Sequence, residues 1–284
     1  MASPIAVHNP VEESAAFEKQ RQLMEKLRAI DSLLVAFSGG ADSAYLAWAA
    51  HQALGDRALA VTALSASYSR HDREQAENCA RVAGFRHELI RTQEFDNPLY
   101  VANNADRCYH CKDELFDRME TLARERNFRT IAYGINADDT HDFRPGHRAA
   151  HEHCVLTPLL DARLTKSEIR LLSQHAGLPT WDRPASACLS SRVPYGTAVT
   201  PELLEKIERA EAALREMGFR QFRVRAHGEL ARIELAEDEL SRGLNPATAR
   251  ELAARLKPLG FAFVTLDLEG YRQGSLNSLL RIQS

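Results

Sequence analysis

The sequence predicts an α/β fold: a parallel sheet covered by helices, followed by a smaller α+β domain. Three observations carry that prediction. Short apolar runs of strand length alternate with longer segments of helical period through the first half of the chain. The first of these runs, Leu33-Leu34-Val35-Ala36-Phe37, breaks at Gly39-Gly40 into a helix-like pattern beginning at Ala44-Tyr45-Leu46. Beyond Pro179, Pro184 and Pro194 the order changes to helix, two alternating segments, helix and a last strand, which suits an α+β unit.

Taken in order, Phe17 to Ile30 is an amphipathic helix with Phe17, Leu23, Leu27 and Ile30 on one side. Ser32 to Phe37 is the first strand, and a helix from Asp42 to Leu54 follows. Ala58 to Leu64 is a second apolar strand, His71 to Ala83 a helix with its charges outward, and Phe85 to Ile90 a third strand. Thr92 to Arg107 is polar and irregular. Tyr109 to Asn127 is a long helix, and Thr130 to Tyr133 a fourth strand running into Gly134-Ile135-Asn136-Ala137-Asp138-Asp139. Asp138 to His153 is rich in His, Asp and Arg and is expected to be loop. Leu164 to Ala176 is a helix opened by Thr165 with Glu168 three residues on, a capping box. Thr200-Pro201-Glu202 starts the next helix, which runs to about Gly218. Gln221 to Ala226 and Leu230 to Leu235 alternate as a hairpin around His227-Gly228. Pro246 to Leu256 is a helix and Phe261 to Leu268 the last strand. The expected division is a nucleotide-binding domain over 1–180 and a second domain over 181–284 that includes the Cys188 linker.

The chain has 284 residues, of which 44% are hydrophobic and 26% charged, the composition of a globular protein. No apolar run reaches membrane-spanning length, and Met1 to Glu13 carry neither a basic start nor a signal-like apolar core. The expected location is the cytoplasm, with no membrane partner. A net charge of -3 argues against a nucleic-acid partner. Five cysteines in such a chain point to metal or thiol chemistry rather than to a disulfide framework.

The segment Ser38-Gly39-Gly40-Ala41-Asp42-Ser43 lies where a buried strand turns into a helix. Free backbone N–H groups and the positive end of the helix dipole meet there, a geometry that binds phosphate. Ser38 and Ser43 add hydroxyls, and Asp42 suits a cap or a Mg²⁺ held on the phosphates. No Gly-Lys-Ser/Thr follows the glycines, so this is no Walker A loop, and the dinucleotide-binding spacing is absent too. The hexad resembles the signature of the ATP pyrophosphatase (PP-loop) enzymes, which are adenine nucleotide alpha hydrolase-like α/β proteins. The resemblance implies ATP binding and release of pyrophosphate. Gly134, Asp138 and Asp139 follow another strand end, where ligands bind in parallel sheets, and the two aspartates suit Mg²⁺ on a leaving pyrophosphate.

Arg107-Cys108-Tyr109-His110-Cys111-Lys112 places a C-x-x-C at the start of a helix, where dipole and cations stabilise thiolates. A redox pair, a zinc site, an iron–sulfur site and two incidental thiols all remain open on the residues alone. Cys188 sits in the linker between Arg183 and Arg192, a cationic loop expected to leave its thiol reactive. Cys79 lies in an apolar helical stretch and is expected to be a small core filler.

Ala187-Cys188-Leu189-Ser190-Ser191-Arg192-Val193-Pro194-Tyr195-Gly196 resembles a signature of the LarE family. So do Asn136-Ala137-Asp138-Asp139, Asp142-Phe143-Arg144-Pro145-Gly146 and Glu269-Gly270-Tyr271-Arg272-Gln273-Gly274-Ser275-Leu276-Asn277. LarE proteins are ATP-dependent sulfur transferases that make the nickel-pincer nucleotide cofactor. The resemblance implies that a carboxylate of a pyridinium dicarboxylate mononucleotide is activated as its acyl-adenylate and converted to a thiocarboxylate. In one branch of the family the sulfur comes from a sacrificed cysteine, here Cys188. In another, three cysteines hold a [4Fe-4S] cluster with an open iron, and Cys108, Cys111 and Cys188 match that pattern. The two extra thiols favour the cluster. The same resemblance implies a homo-oligomer built as a trimer of dimers.

Arg223 and Arg225 alternate on one strand and so share a face, where two guanidiniums suit a substrate phosphate or carboxylate. Glu211, on the preceding helix, is expected to orient one of them. His151 and His153 share a face if their segment is a strand, but a metal site there is not expected. Other readings keep the PP-loop and change the acceptor: a tRNA thiolase, which needs a basic surface, or an NAD-synthetase-like amide-forming ligase, which needs none of the three cysteines. An ATP-binding regulatory module without catalysis would not need Asp42, Asp138 and Asp139.

Overall fold

The computed structural model describes residues 10–141, 145–184 and 186–272. The chain packs as two units. The first takes residues 10–64, 70–92 and 112–184, and the second takes 65–69, 93–111 and 186–272. One cut near residue 180 therefore does not separate them, because residues 65–69 and 93–111 of the N-terminal half belong to the second unit.

The first unit is built on a four-stranded parallel sheet in the order β3-β2-β1-β4. Its strands are β1 (Leu33–Ala36), β2 (Ala58–Leu64), β3 (His87–Arg91) and β4 (Thr130–Tyr133). Leu33 pairs with Ala58 on one side and Thr130 on the other. Every residue of β1 is buried, as the continuous apolar run requires of a central parallel strand. Helices α1 (Pro10–Arg28), α2 (Ala41–Leu54) and α3 (Arg70–Ala83) alternate with these strands. Leu23 and Leu27 of α1, Tyr45 and Leu46 of α2, and Leu33 and Val35 of β1 share one core with Cys79 and Ala80 of α3.

The structure departs from the expected elements at several places: α1 starts at Pro10 rather than Phe17, and a helix over Glu237–Gly243 lies where none is expected. Thr92 to Arg107 is not irregular throughout: a 3-10 turn (Glu94–Asp96) and a short helix α4 (Pro98–Val101) lie within it. Asn97 caps that helix by accepting from the Leu99 N–H at 2.9 Å, with proline in the first turn. The long helix α5 starts earlier than expected and spans Arg107–Arg126. The expected loop from Asp138 to His153 contains a 3-10 turn (Ala137–His141) and helix α6 (Pro145–Glu152). Helix α6 buries only small residues, Gly146, Ala149 and Ala150, so its sequence carries no strong apolar stripe. A single turn α7 (Pro158–Asp161) precedes α8 (Lys166–His175). The Thr165–Glu168 capping box is present in full. Ile169 and Leu172 of α8 complete the first core.

The second unit holds α9 (Pro201–Glu216), β5 (Phe222–His227), β6 (Leu230–Leu235), α10 (Glu237–Gly243), α11 (Pro246–Leu256) and β7 (Phe263–Leu266). Its sheet runs β5-β6-β7, with β5 and β6 antiparallel and β7 parallel to β6. Thr200 caps α9 by accepting from the Leu203 N–H, as its sequence signal predicts. Leu204, Ile207 and Leu214 of α9 pack with Val224, Ile233 and Leu256. Tyr100, Leu189 and Val193 enter the same core. Among the described residues no helix is long and apolar enough to cross a membrane.

Candidate functional site

In the first unit the glycine turn Ser38–Ser43 is built as its sequence requires. Gly39 has φ +74° and Gly40 caps α2. A Cβ on Gly39 would lie 3.0 Å from Ala76 Cβ, so both the backbone angle and the space call for glycine. Ser43 Oγ ties the turn together: it donates to Gly40 O at 3.1 Å, accepts from the Ser38 N–H at 3.2 Å and lies 3.1 Å from Ser38 Oγ. The first N–H groups of α2 have no partner within the helix. Gly134 follows β4 and packs against this point. A Cβ there would sit 2.8 Å from Ser43 N.

The three acidic residues have different tasks. Asp42 Oδ2 accepts from Lys166 Nζ at 2.6 Å, while its Oδ1 is buried without a hydrogen-bond partner. That bare oxygen fits Mg²⁺, which takes one or two carboxylates beside phosphate and water. Asp138 Oδ2 accepts from the Lys166 N–H at 2.8 Å, and Asp139 Oδ2 from the Asn136 N–H at 3.2 Å. Both bonds shape the backbone beside the loop. Lys166 supplies the cation that the glycine turn itself lacks, from the first turn of a helix far along the chain. Arg183 also lies on the loop, with Nη1 donating to Gly39 O at 2.8 Å and Nη2 to Asp72 Oδ1 at 2.5 Å.

In the second unit the start of α5 is stitched to the segment that carries Cys188. Buried Arg107 donates through Nη1 to Ser190 O at 2.8 Å and to Asn103 Oδ1 at 2.5 Å. Asn103 is fully buried at φ +56°, a conformation that asparagine tolerates. Its amide donates to Pro194 O at 2.8 Å and Thr197 O at 2.9 Å. Tyr100 Oη lies 2.7 Å from Ser190 Oγ. Leu189 N–H donates to Ser67 O at 2.9 Å. Cys108 is exposed, Cys111 and Cys188 are half-buried, and none is in a disulfide.

These bonds bring the three thiols under common electrostatic influence. Burial opposes the charge on Arg107, yet Cys188 and Cys108 outweigh it and raise the guanidinium's pKa. Burial raises the Tyr100 phenol, and Cys188 and Cys111 add to the rise. Cys188 thus shares Arg107 with Cys108 and Tyr100 with Cys111, and three thiols are a donor set of the kind that leaves one iron of an iron–sulfur cluster free of protein. A single ion needs its ligands closer. Among the described residues the one group of such ligand atoms within 4.8 Å of one another is Asp117, Glu120 and His153.

The two arginines that flank Cys188 in sequence make hydrogen bonds to other groups. Arg183 turns to Gly39. Arg192 is buried, donates to the carbonyls of Ala187 and Cys188, and pairs with Glu211 through two bonds of 2.9 and 3.0 Å. Burial pushes the Glu211 carboxyl up, but Arg192 outweighs it and the pKa is lowered. Glu211 also accepts from the Val224 N–H at 3.1 Å. Its direct partner is thus Arg192, not Arg223 or Arg225. Those two share a face of β5. Arg225 donates to Glu234 at 2.8 Å and to Ser191 O at 2.7 Å, and Arg223 stacks over the Tyr271 ring at 5.0 Å. Arg225 is buried and Arg223 half-buried.

His153 follows a helix, so the shared strand face with His151 does not form. Its Nδ1 lies 2.8 Å from Glu120 Oε1 and its Nε2 3.1 Å from Asp113 Oδ1. Cys79 is buried in the first core, and burial pushes its thiol up to about 11. Asp142, Phe143 and Arg144, Ala185, and the segment from Gln273 onward lie outside the described residues. Sequence reasoning missed Asn103, Arg107, Lys166 and the loop contact of Arg183. Only Arg107, beside the C-x-x-C, carried a usable signal.

No family model matches the chain. It is 43% identical over 262 residues to an uncharacterised protein of Synechocystis sp., covering 92% of this chain and 98% of that one. It is 33% identical over 265 residues to the pyridinium-3,5-bisthiocarboxylic acid mononucleotide synthase of Lactiplantibacillus plantarum, covering 92% and 95%. A weaker likeness, 27% over 173 residues, is to one subunit of the glutamine-hydrolysing GMP synthase of Methanocaldococcus jannaschii, covering 58% of this chain and 54% of that one.

Proposed function

The chain belongs to the LarE family, that of the pyridinium-3,5-bisthiocarboxylic acid mononucleotide synthase, and from that premise we propose that it is an ATP-dependent sulfur transferase. Its substrate is a pyridinium dicarboxylate mononucleotide, and its product a thiocarboxylate for the nickel-pincer nucleotide. A substrate carboxylate oxygen attacks the α-phosphorus of ATP, and the bond to the pyrophosphate oxygen breaks. A sulfur nucleophile then adds to the acyl carbon, and AMP departs with the C–O electron pair. No oxidant is required.

The phosphate loop does the first task. The N–H groups at the start of α2 receive the leaving pyrophosphate. The free oxygen of Asp42 takes part in holding Mg²⁺, and Lys166 adds positive charge. Arg223 and Arg225 bind the anionic groups of the mononucleotide, and Glu211 holds Arg192 under the Cys188 segment. Cys108, Cys111 and Cys188 are the residues that would hold a [4Fe-4S] cluster. Bound there, it supplies an iron without a protein ligand, from which sulfide can be given up. The protein's part is to keep the thiolates near a buried cation and to keep the segment 188–197 in place. The protein acts as a homo-oligomer in this reading.

The observation that carries the cluster reading is Arg107, which ties the C-x-x-C helix to the carbonyl two residues after Cys188. Purification without oxygen tests it. About four irons and matching acid-labile sulfide per chain are expected, lost in Cys188→Ala and in Cys108→Ala. Absence of iron, with loss of the Cys188 sulfur after ATP and substrate, would instead identify Cys188 as a sacrificed donor. That route forms a thioester at Cys188, removes its Cα proton and breaks the Cβ–S bond to leave dehydroalanine.

A further inference from the structure

We infer that Arg183 is a positioning residue for ATP, holding the phosphate loop in its binding shape. The inference rests on the reading of Ser38–Ser43 as an ATP site. Arg183 is a long way from that loop in sequence and stands five residues before Cys188. Its fork is nonetheless spent on the first unit. Nη1 donates to the Gly39 carbonyl at 2.8 Å, and Nη2 to Asp72 in the first turn of α3 at 2.5 Å. Both side chains are 15% exposed. The main chain is held as well, with Arg170 of α8 donating to Arg183 O at 3.0 Å.

What this does follows from peptide geometry. The Gly39–Gly40 peptide is trans, so its C=O and N–H point in opposite directions. Fixing the Gly39 carbonyl on Arg183 therefore fixes the Gly40 N–H on the other side. That N–H has only a long contact, 3.5 Å, to Ser38 Oγ, and it stands at the positive end of α2. Glycine at φ +74° is free to rotate its peptide where other residues are not. A flip would turn a carbonyl oxygen toward the phosphates and cost the loop both a donor and its favourable charge. Arg183 blocks that flip, and Asp72 blocks rotation of Arg183. The neighbouring wall is closed by Ala76, which leaves little room for a Gly39 Cβ.

A charge effect and a positioning effect have opposite signs at Asp72. Removing a carboxylate near a triphosphate strengthens binding if only charge matters. It weakens binding if Asp72 serves by holding Arg183. The test uses the full chain with Arg183→Ala, Arg183→Lys and Asp72→Asn. Calorimetry gives the Kd for Mg-ATP, and the ¹⁵N resonance of the Gly40 amide is followed without nucleotide. Arg183→Ala is expected to shift that resonance and weaken ATP by about tenfold to a hundredfold, the range for a lost charge-assisted hydrogen bond. Saturating ATP should restore most of the sulfur-transfer rate, so that KM changes more than kcat. Arg183→Lys, which keeps the charge but makes one bond at a time, should recover part of the affinity. Asp72→Asn should weaken ATP as well. An unchanged Gly40 resonance and Kd in Arg183→Ala, or tighter ATP binding in Asp72→Asn, would overturn the inference. If the unmodified protein binds no ATP, the proposed function fails, while the Gly40 resonance still decides the role of Arg183.

Discussion

Gly134 and Gly39 are glycines for different reasons, and only Gly39 is forced by its backbone angle. Gly134 is needed because the chain after β4 passes over the start of α2, where a Cβ would fall 2.8 Å from Ser43 N. Backbone cannot move aside as a flexible side chain can. Gly134→Ala is therefore expected to cost ~1–3 kcal/mol of stability, the usual scale of overpacking, and to weaken ATP binding by displacing Ser43. Urea unfolding and an ATP titration check the two effects. Wild-type affinity in the variant would mean that the loop does not depend on this contact. Arg107 is the corresponding residue among the thiols. It is buried, which disfavours its charge, and the nearby Cys188 and Cys108 are the largest influences that favour it.

Helix α8 carries out two tasks from its first turn, and both depend on its cap. Thr165 accepts from the Glu168 N–H, and Glu168 answers to the Thr165 N–H at 2.9 Å. The next residue, Lys166, reaches Asp42. Thr165→Ala is expected to lower stability by about 1 kcal/mol and to loosen Lys166, seen as a modest rise in the Kd for ATP. Helix α5 is tied to the end of α6 by His153, which lies between Glu120 and Asp113. Burial lowers the pKa of His153, but those two carboxylates prevail and raise it above the ordinary value of about 6.5. Its contribution to stability is thus complete below about pH 6.5 and is lost as pH rises through the raised value. Thermal unfolding of His153→Gln should show less decline above pH 6.5 than the parent. An equal decline in both would place the titration elsewhere.

At the scale of the molecule, the second unit is not the C-terminal piece of the chain. Tyr100 is 1% exposed within its core, beside Leu189 and Val193. Val101 O accepts from the Val199 N–H and Asn103 O from the Gly196 N–H. A polypeptide of residues 186–284 alone lacks all of these. Losing one buried aromatic costs ~3–5 kcal/mol, against a total stability of about 5–15 kcal/mol. That fragment is expected to show no cooperative unfolding transition and no near-ultraviolet dichroism. A sharp transition would mean that the 93–111 stretch is dispensable to this core. The dependence also has a functional side. Cys108 and Cys111 come from the N-terminal half, yet they fold with Cys188 because the segment before them is part of the same core.

The class of fold, the glycine turn at Ser38–Ser43 and the family are all written in the sequence. These are local signals: an apolar run of strand length, glycines where φ must be positive, a capping box, and motif residues within a few positions of one another. The strand Ala58–Leu64 is legible to the residue because an apolar run stands between Gly55-Asp56-Arg57 and Ser65-Ala66-Ser67, and the helix Pro246–Leu256 because Asn245, Pro246 and Pro258 mark its ends. Only packing brings Glu211 to Arg192, Lys166 and Arg183 to Asp42 and Gly39, and Arg107 to the carbonyl of Ser190. Each of those contacts pairs residues more than a dozen positions apart, with a lone charged side chain on one side and a distant carbonyl or carboxylate on the other. Nothing in a charged side chain's own neighbourhood tells which distant carbonyl or carboxylate will meet it. That choice is made by packing, which desolvates the charge and leaves it few partners in reach.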